Sequence, residues 1–137
     1  MKVFIEILVE HFDMPARYVG DSRPHEVDGL ISIKEGLIVI EGKRQERERI
    51  GPIKAEEVWG KGKRHNPIAY MTFGYPDFTR EAITNAENTG ITLLPHYILG
   101  KWIVDYHKGD LTNSEILEKL RSGKYLGYRR ITKETLT

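Results

Sequence analysis

Leu37-Ile38-Val39-Ile40 is apolar at every position and is followed at once by Glu41-Gly42-Lys43. A strand with one wet face alternates apolar and polar residues, so an unbroken apolar run predicts a strand covered on both sides. That requirement selects a layered α/β architecture, a mixed β-sheet with helices on both faces. It also sets apart the charged pair at the strand's end. Glu41 and Lys43 are two residues apart, so their side chains leave the same face.

The preceding run, Val27 to Ile33, is separated from this strand by Lys34-Glu35-Gly36, and the pattern predicts a β-hairpin. A hairpin brings Asp28 back beside Glu41, but on the same face only if paired residue numbers sum to an odd value. That calls for an even-length turn, such as Glu35-Gly36, or a bulge near Gly29 or Gly42. A plain three-residue turn would put Asp28 on the wrong face. Two carboxylates and an ammonium at a strand end suit Mg²⁺ (or Mn²⁺), which takes one or two carboxylates and keeps several waters. Asp28 and Glu41 are the expected ligands, with the Gly42 carbonyl as a further one. Lys43 would position water or stabilise charge at a phosphodiester. Residue chemistry alone leaves open a plain ion pair at a strand end.

Around this centre the chain alternates. Phe4, Ile5, Leu8, Val9 and Phe12 mark an amphipathic helix that ends by Pro15. Pro52 suits the first turn of a helix reaching about Trp59, followed by a basic loop from Lys61 to Pro67. Ile68 to Phe73 predicts a strand. Asp77 or Thr79 caps a helix closed by Gly90, and Ile91 to Leu94 is a buried strand. Pro95 opens a further helix, and Thr112-Asn113-Ser114-Glu115 is a capping box for the next. The expected order is α-β-β-α-β-α-β-α, with one more helix at the end.

The 137 residues fit one domain, with a core over about 4–95 and a C-terminal helical extension over 96–137. With no Cys there is no disulfide framework, thiolate zinc site or cysteine nucleophile. No apolar run approaches the roughly 18 residues of a membrane span, so a soluble, cytoplasmic protein without a membrane partner is expected. A net charge of +1 gives no global attraction to nucleic acid. Contacts to phosphate would come from local clusters: Arg44, Arg47 and Arg49, or Lys61, Lys63 and Arg64, with Arg129-Arg130 a weaker candidate. Abundant Glu, Lys and Arg with a single Gln lean towards a thermophilic source. The five His lack metal-ligand spacing, and Gly60-Lys61-Gly62 lacks the third glycine and preceding strand of a nucleotide loop.

Asp28, about a dozen intervening residues, and then Ile-Val-Ile-Glu41-Gly42-Lys43 resemble the core motif of the PD-(D/E)XK nuclease superfamily. Arg44-Gln45, then Met71-Thr72-Phe73, Phe78-Thr79, Ala82 and Ala86, and Gly90-Ile91-Thr92-Leu93-Leu94 resemble the Mrr-type restriction endonuclease branch. The likeness spans about 4–95. Val27 stands where the motif's name has Pro, and Pro76-Asp77 is not followed by Glu-x-Lys. The resemblance implies a metal-dependent DNA endonuclease with Asp28, Glu41 and Lys43 at its centre. It further implies Gln45 as an assisting residue and a first-helix carboxylate as an extra metal or water ligand, Glu10 in preference to Glu6. A homodimer is implied by analogy, since paired cuts need two sites, and a targeting partner is a further expectation. A Holliday-junction resolvase of the same fold and a catalytically silent DNA- or partner-binding module are the competing readings.

Overall fold

The computed structural model describes residues 1–128; Arg129 and Arg130 lie outside the described residues. Five strands form one sheet in chain order: β1 (Ala16–Tyr18), β2 (Gly29–Ile33), β3 (Gly36–Arg44), β4 (Ala69–Tyr75) and β5 (Thr92–Pro95). The first three are antiparallel and β3, β4 and β5 run parallel, so the sheet is mixed. Among the described residues six α-helices accompany it: α1 (Lys2–Glu10), α2 (Pro52–Ala55), α3 (Glu57–Gly62), α4 (Arg80–Thr89), α5 (Tyr97–Lys108) and α6 (Asn113–Leu120). β1 has no counterpart among the sequence expectations, because three residues, Ala-Arg-Tyr, are too few to show alternation.

The pleat sorts the side chains of β3 into two cores. Ile38 and Ile40 pack with Phe4, Ile5 and Leu8 of α1, with Phe12 just beyond it, and with residues of α5 and α6. Val39 packs on the other face with Ala55, Val58, Ala82 and Ala86 of α2, α3 and α4. Both faces of β3 are covered, as its apolar run requires. Ile98, Leu99, Trp102, Ile116 and Leu120, from the segment expected to be an extension, complete the α1-side core. No helix among the described residues is long and apolar enough to cross a membrane.

The expected single helix from Pro52 to Trp59 is instead two helices broken at Glu56, and the expected basic loop is largely helical, ending in a 3₁₀ turn at Lys63–His65. Thr72 on β4 accounts for the break. Its hydroxyl donates to the Ala55 carbonyl at 2.8 Å, while the Trp59 amide bonds to the Glu56 carbonyl, tightening the turn. Thr79 is the α4 cap, accepting from the Ala82 amide, and the capping box at Thr112 and Glu115 forms in both directions. Pro95 closes β5 rather than opening a helix.

Glu26 is the buried anchor of the loop before β2. Its carboxylate accepts from the Val27 amide and pairs with Arg23, Arg64 and His65. Burial alone would raise its pKa, but hydrogen bonds from His65, Arg64, the Val27 amide and Arg23 outweigh that and hold it at about 2. A carboxyl depressed from the ordinary 4.5 stabilises the fold fully above that value and loses its contribution as pH falls towards 2. With Arg23 open to solvent, that contribution is about 2 kcal/mol. In Glu26→Gln, thermal melts should show a lower Tm at pH 7 and a flatter decline between pH 4.5 and 2; an unchanged profile would mean the pairing is idle.

Candidate active site

The hairpin register decides whether Asp28 and Glu41 meet. Gly29 faces Ile40 and Ile33 faces Gly36, so the turn is the two-residue Lys34-Glu35. The even parity holds, one residue earlier than the Glu35-Gly36 example, because Gly36 at φ 146° takes a backbone conformation closed to other residues and already belongs to β3. Asp28 therefore lies opposite Glu41, just before the first residue of β2. Its backbone amide bonds to the Ile40 carbonyl at 3.0 Å, and its Oδ2 accepts from the Gly42 amide at 2.7 Å. The Gly42 amide and carbonyl leave the strand on the same side, so that carbonyl also points to this edge.

Glu41 is only 2% exposed. Its Oε2 accepts from Lys61 Nζ at 2.5 Å and lies 3.5 Å from Lys43 Nζ, while its Oε1 is buried without a hydrogen-bond partner among the described residues. Such an orphaned oxygen is costly. Burial raises the Glu41 pKa and the neighbouring Asp28 raises it further, against the opposing pull of Lys61. Lys43 is held by Glu57 of α3. Two neighbouring carboxylates, one with an unpartnered oxygen, fit a hard cation that brings its own waters. Among the described residues no three His, Asp or Glu side chains cluster as a ready-made metal cage.

Glu57 and Lys61 are the residues that sequence reasoning did not place here together. They are four apart on α3, hence on one face, and α3 can lie this close because a Cβ on Gly62 would stand 2.6 Å from Val39 Cγ2. The break at Glu56 that starts α3 carries no strong sequence signal. Beside them opens a cavity of about 600 Å³ lined by Ile53, Glu56, Glu57, Trp59, Lys61 and Ile91 among others.

The other expected residues disperse. Glu10 is corrected: it is exposed near the end of α1, on the opposite face of the sheet, and neither it nor Glu6 pairs with any described residue of the site. At Gly42 it is Met1, the residue before α1, that comes close: its Cε would lie 2.1 Å from a Cβ there. The Gln45 side-chain amide donates to the Glu48 and Arg49 carbonyls and shapes the loop after β3. Arg44 lies over the Tyr75 ring and Lys63 over the Trp59 ring. Arg47 is exposed, and Arg64 is engaged by Glu26.

The sequence matches no protein-family model and no curated protein. Among solved structures it is similar to the restriction endonuclease FokI, with a TM-score of 0.63 over 90% of this chain at 12% identity. The chain has a restriction-endonuclease-like fold. It is also similar to AF1548, a protein of unknown function, with a TM-score of 0.59 over 89% of this chain at 18% identity. It spans 27% of the FokI chain and 76% of the other. At these identities the likeness is one of fold.

Proposed function

We propose that this chain is a metal-dependent endonuclease that hydrolyses phosphodiester bonds in DNA, a PD-(D/E)XK nuclease whose sequence pattern is most like the Mrr-type restriction endonucleases. The observation that carries this reading is the buried Glu41 carboxylate. One of its oxygens is unpartnered and Asp28 stands beside it, at a strand end of a restriction-endonuclease-like sheet.

Mg²⁺ or Mn²⁺ would be held by Asp28, Glu41 and the Gly42 carbonyl. Bound there, it supplies charge neutralisation at a phosphodiester and a more acidic water. The chain's residues do the rest. Asp28 and Glu41 gather negative charge where solvent is excluded, and the Gly42 amide fixes the Asp28 carboxylate. Glu57 holds the Lys43 ammonium at the rim of this pair, where it donates to a phosphate oxygen or to the attacking water. Arg44, Arg47 and Lys63 contact the DNA backbone away from the scissile bond. The protein acts as a homodimer, each copy cutting one strand.

The test is cleavage of supercoiled, linear, single-stranded and four-way-junction DNA with Mg²⁺ or Mn²⁺, beside EDTA and Asp28→Ala controls. Cutting that needs metal and disappears in Asp28→Ala is the expected result. Preference for the junction would identify a resolvase. A folded, metal-loaded protein that cuts none of the four would leave a DNA- or partner-binding module.

A further inference from the structure

Lys43 and Lys61 both pair with Glu41, but their situations differ. Lys43 also pairs with Glu57 and its side chain is 17% exposed. Lys61 has Glu41 as its one acidic partner among the described residues, at 2.5 Å, and its side chain is 31% exposed. Around the buried carboxylate stand Asp28, Glu41 and Glu57 with Lys43 and Lys61, a formal charge of −1. A divalent cation makes that cluster +1, matched to the single negative charge of a phosphodiester.

We infer that Lys61 is a second functional lysine of this site, which competes with a divalent cation for Glu41 and, displaced, passes to the phosphate of the substrate. The inference rests on the nuclease reading above. A carboxylate this buried cannot keep a full ammonium hydrogen bond and a dication without placing two like charges within a few ångströms of each other. Lys43 is not released when Glu41 takes a cation, because Glu57 keeps it. Lys61 has no such tether, and its partial exposure gives its four-carbon stem a route towards solvent and the DNA. The paired positions on α3 therefore divide the work: Glu57 is a positioning residue for Lys43, and Lys61 is a phosphate contact delivered by cation binding. A basic residue on the protein surface would instead bind phosphate whether or not Glu41 held a metal.

Calorimetric titration with Mn²⁺, without DNA, tests this on the whole chain. Lys61→Met removes the competing ammonium and keeps the apolar stem. It should bind Mn²⁺ about tenfold more tightly than wild type, the scale of a lost charged hydrogen bond. The same variant should cut DNA about a hundredfold more slowly at saturating Mn²⁺. Lys54→Met, which removes an equal charge at an exposed position of α2, should change neither. A Lys61→Met protein that melts like wild type but binds Mn²⁺ equally or more weakly overturns the competition. Wild type binding Mn²⁺ no better than Asp28→Ala would overturn the nuclease reading itself.

Discussion

Lys43→Ala is expected to cut DNA at least about a thousandfold more slowly than wild type, which corresponds to about 4 kcal/mol of transition-state stabilisation. The fold should survive, because Glu41 keeps Lys61 as its counter-ion and the released Glu57 is partly exposed. Duplex binding in Ca²⁺ should stay within a few-fold of wild type, since the remaining basic residues still reach the backbone. Arginine should not rescue the rate: its planar fork would have to fit a space where the Lys43 ammonium lies between Glu57 and Glu41. The measurements are single-turnover cleavage and fluorescence anisotropy. A Lys43→Ala protein that cuts near the wild-type rate would remove this lysine from the active site.

Phe12→Ala should be the costliest change on the other side of the sheet. Phe12 is fully buried, meets Tyr106 edge-on at 5.4 Å between ring centroids, and belongs to the core that α1 shares with α5 and α6. Deleting a buried phenyl ring costs about 3–5 kcal/mol, from lost transfer energy and the cavity left behind. For a chain of 137 residues that is a fall in Tm of about 10–15 °C. At 20 °C, cleavage per folded molecule should not change, because every member of the Asp28, Glu41 and Lys43 group lies on the opposite face. Differential scanning calorimetry beside the cleavage assay checks both halves. A small thermal shift, or loss of cleavage in protein that is still folded, would show that the two faces are not independent.

That separation of faces also explains what the sequence could reveal of the site. Period-two alternation in the hairpin is local, so the sequence could state the condition for Asp28 to meet Glu41, an even-length turn or a bulge, and the register of the two-residue turn meets it. Glu10 was misplaced because helix periodicity shows which residues share a helix face, not which side of a sheet the helix covers. Lys61 was legible only as a charge. Its pairing with Glu41 depends on the kink at Glu56, which originates in a hydroxyl of Thr72 on another strand. Glu26 shows the same limit: its partners Arg64 and His65 are supplied from a distant 3₁₀ turn that local sequence does not reveal. The covered strand, the mixed sheet and the caps at Thr79 and Thr112 were readable because each is written into neighbouring residues.

The strand order carries a consequence for how the chain assembles. Each strand pairs with the one before it, so no strand waits for a later one to be slotted between earlier neighbours. Asp28 and Glu41 are joined by the hairpin of β2 and β3, whose loop closure is short and therefore entropically cheap. The two carboxylates can be drawn together early, while their like charges are still bathed in water. α3 with Lys61, and the burial that makes Glu41 costly, arrive from farther along the chain. The electrostatic cost of burying Glu41 is therefore set by contacts more distant in sequence than the hairpin that joins it to Asp28.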